Sequence, residues 1–146
     1  MADPKTTLVS AWMAKARSDL GTAGKLSSGP DTYLDTAIYH CQQAAEKAIK
    51  ALLVKNDLRF EKTHDLEVLI ARAILVAPDL SELLDQADRL TPYAVAYRYP
   101  GEHLVPTAEE FAAALSAAEK IFSCVESLLS AESSSGNGAA ETGNAD

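Results

Sequence analysis

The chain has 146 residues, 47% of them apolar, and a formal charge of −8, which suits one domain able to bury a core without disulfide or metal staples. Glu132, Glu141 and Asp146 lie past Ala131 with no Lys or Arg beside them, so −3 belongs to that end and −5 to the rest. This acidity argues against a general nucleic-acid binder, which needs clustered Lys and Arg, while leaving room for a small local basic site. No apolar run approaches the roughly 18 residues that cross a bilayer. The start "MADPKTTLVSAW" lacks a charged segment followed by an apolar one, so cytoplasm is the expected compartment.

In chain order the pattern is helical. Val9, Trp12, Met13, Ala16, Leu20 and Ala23 recur at three- and four-residue spacing and predict one face of a first helix. "SSGPD" then breaks the chain, and Asp31 is the expected cap of a second helix. That helix carries the stripe Leu34, Ile38, Cys41, Ala45, Ala48 and Leu52, and its alanines allow a neighbour to approach closely. Glu46 and Lys50 are expected on its outer side as an i,i+4 pair, with Gln42 and Gln43 on a solvated or interface face. Cys41 and Cys124 are expected to be reduced core residues.

Asp65 opens a third helix, with Thr63 and Asp65 as capping residues, which stops before Pro78. Asp79 with Glu82 predicts a capping box for a fourth, whose inward residues are Leu80, Leu83, Leu84, Ala87 and Leu90. Thr91-Pro92 kinks or restarts it, because proline has no N–H to donate. Pro100-Gly101 ends the restarted turns. Thr107 with Glu110 predicts a second capping box, opening a fifth helix along Phe111, Leu115, Ala118, Phe122, Val125 and Leu129. From Ser133 onward no large apolar residue remains, so residues 132–146 are expected to form a disordered tail on a domain of residues 1–131.

No strand-period alternation of useful length occurs. The expected fold is all-α, an up-and-down bundle of four to five antiparallel helices with short connections. The three histidines, His40, His64 and His103, show no recurrent metal-ligand spacing, and neither a metal nor another cofactor is expected.

Three strings in order resemble the HEPN domain family of prokaryotic helical-bundle proteins. "AIYHCQQAAEKAIKALL" (37–53) resembles the family's long second helix, and "KTHDLEVLI" (62–70) its Thr-His-Asp-Leu approach to the third. "LTPYAVAYRYPGE" (90–102) resembles the Tyr/Arg-Tyr-Pro segment ending the fourth, and the likeness covers residues 6 to 131. The resemblance implies a homodimer acting in one of two ways. Many members look like accessory or toxin-type partners of a separately encoded minimal nucleotidyltransferase, with nucleotide or RNA association. Others are metal-independent endoribonucleases that use an Arg-x4–6-His motif paired across the dimer.

Arg98 and His103 have that spacing. Histidine titrates near neutral pH and can exchange a proton with a ribose hydroxyl, while arginine can hold the phosphate as charge builds on it. Around them Tyr97, Tyr99 and His64 are candidate nucleotide- or phosphate-binding residues. Three departures stand beside this reading. Tyr99 replaces the small polar residue that usually follows the arginine, Val105 the tyrosine some toxin members carry, and Pro100-Gly101 interrupts the spacer. A second reading has Arg98 capping a helix C-terminus, with Tyr97 and Tyr99 packed at a bundle end or subunit interface. His64 has a structural alternative too, fixing the turn between Thr63 and Asp65. A non-catalytic helical adaptor is the plainest of the three functional readings.

Overall fold

The computed structural model describes the backbone of residues 3–101 and 105–144 and the side chains of residues 3–101 and 105–131. Three long helices and two short ones form an all-helical bundle, with no strand among the described residues. They are α1 (Pro4–Leu26), α2 (Leu34–Lys55), α3 (Leu66–Ala73), α4 (Leu84–Leu90) and α5 (Ala108–Asn144). Short 3₁₀ helices, Pro78–Leu83 and Thr91–Ala94, flank α4. No helix among the described residues is long and apolar enough to cross a membrane.

Local chemistry starts α1 as a helix should begin. The Asp3 carboxylate accepts from the Thr6 N–H at 2.7 Å, and Pro4 takes the first turn, where a missing N–H costs nothing. Val9, Met13, Ala16 and Ala23 are buried as their spacing predicts, with Trp12 and Leu20 packed at the edge. Gly29, at φ +84°, makes the turn into α2, a backbone region that side chains disfavour. Asp31 does not cap α2. Tyr33 occupies that position without a side-chain bond, and Asp31 is exposed in the turn.

α2 is the centre of the bundle, packed against α1, α3 and α5. It is buried almost continuously from Ala37 to Leu53, not along one stripe. The expectation for its polar edge is therefore overturned: Gln42, Gln43, Glu46 and Lys50 all lie in the interior. The Glu46 side chain keeps 5% of its exposure and Lys50 keeps 10%.

Such groups tolerate burial only with full sets of partners. Glu46 Oε2 accepts from Lys50 Nζ at 3.0 Å, and Glu46 Oε1 from Gln42 Nε2 at 3.1 Å. The Lys50 ammonium also lies 5.7 Å from the ring centroids of Trp12 and Phe60, within cation–π range of both. Gln43 donates to Gln42 at 2.7 Å, and Gln42 donates again to the His64 carbonyl at 3.1 Å.

α3 begins as its sequence predicts, with Asp65 accepting from the Glu67 and Val68 N–H groups and Thr63 accepting from Asp65 N–H. The fourth helix departs from expectation at its start. Ala77 precedes a 3₁₀ turn led by Pro78, no Asp79 side-chain cap forms, and the α-helical part begins only at Leu84. Proline fixes the first position of the turn, one residue ahead of the expected cap. Thr91-Pro92 restarts the chain as a 3₁₀ turn, and the Thr91 hydroxyl accepts from Leu66 N–H, tying α3 to the end of α4. At α5 Thr107 accepts from Glu110 N–H at 3.0 Å, forming half of the expected box. The other half is absent because the Glu110 carboxylate has different partners. Cys41 is buried and Cys124 half-buried, both as free thiols, and burial, with Glu119 nearby, pushes the Cys41 thiol up to about 12.

Removing one partner of a buried ion pair strands the other charge. Glu46→Ala should therefore lower the unfolding free energy by about 3–5 kcal/mol in chemical denaturation. The double variant Glu46→Gln, Lys50→Met should lose less, because no unpaired charge remains inside.

Candidate functional site

Among the described residues two non-glycines, Asp57 and Tyr97, have a positive φ, and the second leads into Arg98. Tyr97 has φ +67°, a left-handed conformation that costs a non-glycine residue about 1–2 kcal/mol. Two tyrosines and one carboxylate hold it there. The Tyr97 hydroxyl donates to Glu110, lying 3.0 and 2.8 Å from its two oxygens, and the Tyr93 hydroxyl donates to the same carboxylate at 2.7 Å. The two rings stack with centroids 6.2 Å apart. The segment after α4 is thereby fastened to the first turn of α5.

The reversed backbone at Tyr97 sends Arg98 back toward α2. Its guanidinium carbon lies 4.2 Å from the Tyr39 ring centroid and 5.9 Å from that of Tyr99. Nη1 donates to the Ala94 carbonyl at 3.2 Å. That carbonyl bond is the helix-end interaction anticipated by the plainer reading. It uses one donor, and no carboxylate among the described residues comes within 4 Å of the group. Most of the donor fork of this exposed arginine thus faces solvent.

It faces a groove of about 290 Å³ lined by Asp35, Thr36, Tyr39, His40, Tyr97 and Arg98. His40 Nδ1 lies 2.8 Å from Asp19 Oδ1, and Asp19 Oδ2 accepts from Lys47 Nζ at 2.7 Å. The Asp19 side chain, on the core-facing side of α1, is only 10% exposed. The sequence assigned no role to Asp19 or Tyr39, and His40 entered only as a histidine without metal-ligand spacing. The available signal was an acidic residue set within the Ala16–Leu20–Ala23 stripe, a position that demands a partner.

The other candidates separate. His64 Nδ1 lies 2.8 Å from Glu46 Oε1, and its side chain is 64% exposed. Glu46 stands two turns along α2 from Tyr39, roughly 10 Å at helical rise, and His64 is not among the groove's lining residues. Tyr99 is exposed beside Arg98. His103 lies outside the described residues. Tyr97 and Arg98 are thus brought together with Tyr39 and His40, apart from His64. Among the described residues no group of three His, Cys, Asp or Glu side chains is placed to hold a metal ion.

The model of the HEPN domain matches residues 9–128. The chain belongs to the HEPN family. An archaeal HEPN homologue, ST0689, superposes with a TM-score of 0.63 at 24% identity, covering 82% of this chain and 96% of that one. TT1696 from Thermus thermophilus gives a TM-score of 0.67 at 27% identity over the same shares. No curated protein matches the chain. The matched HEPN region takes in α1 to α4 and most of α5, so Asp19, Tyr39, His40, Arg98 and Glu110 are all part of the family fold.

The Tyr93–Tyr97–Glu110 clamp has a pH signature. Burial, reinforced by the hydrogen bond to Glu110, raises the Tyr93 hydroxyl above its ordinary value; for Tyr97 that hydrogen bond comes first. An unfolded tyrosine ionises near pH 10, at about the reference value, so in alkali the folded chain binds more protons than the unfolded one. The stability these hydroxyls contribute is complete below about pH 10 and is lost as pH rises through their folded values. Melting temperatures measured from pH 9 to 11 should fall more steeply for the native sequence than for the Tyr93→Phe, Tyr97→Phe variant.

Proposed function

We propose that this chain is a homodimeric HEPN protein of the cytoplasm that binds the phosphate of a nucleotide or RNA through Arg98. In this reading it serves as an accessory or toxin-type partner of a minimal nucleotidyltransferase. The single observation that carries the binding reading is the Arg98 guanidinium. It is exposed at the mouth of a groove, stacked on Tyr39, and has no carboxylate partner among the described residues. Arginine's fixed fork matches two phosphate oxygens, and its stacking on an aromatic face holds that fork ready. Tyr97 and Tyr99 flank the charge, while His64 belongs to the α2–α3 junction beside Glu46, outside the groove. The nucleotidyltransferase partner and the dimer rest on the family likeness. The domain charge of −5 fits one local phosphate site better than an extended track along nucleic acid.

A second reading, a metal-independent endoribonuclease using Arg98 and His103, is favoured by the same exposed guanidinium five residues before a histidine. Arg98 would hold the phosphate and His103 would exchange the proton.

Calorimetric titration with adenine nucleotides and a short RNA should show saturable binding. Arg98→Ala should weaken it at least about tenfold, the worth of one charge-assisted hydrogen bond, without changing the melting temperature. A chain ending at residue 131 should bind as the full chain does. RNA cleavage that persists in chelator and disappears in both Arg98→Ala and His103→Ala would establish the second reading. Absence of saturable binding to any of these ligands would refute the first.

A further inference from the structure

The groove holds a second group suited to an anion. His40 lies next to Tyr39 in sequence, its ring edge-on to that tyrosine with centroids 5.6 Å apart, and both line the Arg98 groove. Its Nδ1 is engaged by Asp19 Oδ1 at 2.8 Å. An ionised carboxylate can only accept, so Nδ1 carries the proton and Nε2 is the nitrogen left over. Nε2 makes no hydrogen bond among the described residues. Asp19 is in turn fixed by Lys47, which takes its other oxygen at 2.7 Å. A buried carboxylate braced by a lysine therefore sets both the tautomer and the orientation of an imidazole in the groove where the arginine waits.

Resting on the phosphate-binding reading of Arg98, we propose that His40 is the second phosphate-contacting residue of this groove, positioned by Asp19, and that anion binding there takes up a proton. Neutral His40 offers a lone pair at Nε2, which repels a phosphate oxygen. Protonated His40 offers an N–H, a charge-assisted donor that joins Arg98 on the same anion. The bound phosphate favours the imidazolium, so affinity rises as pH falls through the histidine range.

The charged and titratable groups around His40 among the described residues are few. Asp19 faces it from α1, Asp35, Tyr39 and Lys47 from α2, and Tyr97 and Arg98 from the segment after α4. Of these side-chain types, an imidazole is the one whose charge ordinarily changes between pH 5.5 and 8. Asp35 at the groove wall accepts hydrogen bonds but repels phosphate oxygens, which leaves the phosphate to the Arg98–His40 side and a sugar hydroxyl to the Asp35 side.

The test uses the full chain and a 2′-O-methylated dinucleoside monophosphate, whose single phosphodiester charge is constant over this range and which has no free 2′-hydroxyl at its linkage to attack the phosphate. Affinity measured by calorimetry should tighten about tenfold from pH 8 to pH 5.5, the worth of one charge-assisted hydrogen bond. His40→Gln should bind with the pH 8 affinity at both values. Asp19→Asn should flatten the profile while retaining Arg98-dependent binding, with thermal melting recorded alongside to separate loss of fold from loss of proton linkage. A flat native profile, or one that survives in His40→Gln, overturns the role of His40 while Arg98-dependent binding still stands. Binding unchanged in Arg98→Ala, or absent in the native chain, overturns both readings together.

Discussion

Everything in this bundle is arranged around a helix that is buried along most of its length. α2 is packed against α1, α3 and α5, so even its glutamate and lysine are carried into the interior. An ion pair in that position is stable only when every oxygen and proton has a partner. Glu46, Lys50, Gln42 and His64 close that set, with Trp12 and Phe60 over the ammonium. The network ties α1, α2 and the start of α3 to one another at fixed register. It thereby fixes the N-terminal half of α2, where Tyr39 and His40 stand.

A second constraint acts at the other side of the groove. Glu110 gives up the reciprocal half of its capping box and takes two tyrosine hydroxyls instead. That exchange holds Tyr97 in a left-handed backbone and turns Arg98 toward the Tyr39 ring. The strained residue and the exposed charge are thus adjacent consequences of one clamp. Local strain maintained by surrounding bonds is a common property of ligand sites, because it keeps a side chain presented when no ligand is there.

Much of the fold was legible from residue spacing. The stripes at Val9–Ala23, Leu34–Leu52 and Phe111–Val125 defined the long helices, since three- and four-residue recurrence has one simple explanation. The Thr63–Asp65 and Thr107 caps were equally local. Asp31 and Asp79 were misread because a side chain that can cap does so only if the helix begins at the next residue and presents its free N–H groups to it. The Pro30 and Pro78 surroundings placed the helix starts elsewhere. The Glu46–Lys50 pair was legible as a pair, but its side of the helix was not. Periodicity assigns faces relative to one neighbour, and a helix packed by three keeps only a narrow exposed edge, here Asp35, Thr36, Tyr39, His40 and Lys47.

Of the site, the Arg98 position and its tyrosines could be read from the string "AYRYPG", along with membership of the HEPN family. The sequence by itself determined which residues could bind an anion and which helices must exist, because both depend on side-chain chemistry and short-range spacing. Only the tertiary structure decided which of them share a groove. Asp19, His40 and Arg98 are separated by 21 and 58 positions along the chain. Their meeting depends on how α1 and α2 pack and on the reversed backbone at Tyr97, and no local pattern encodes either.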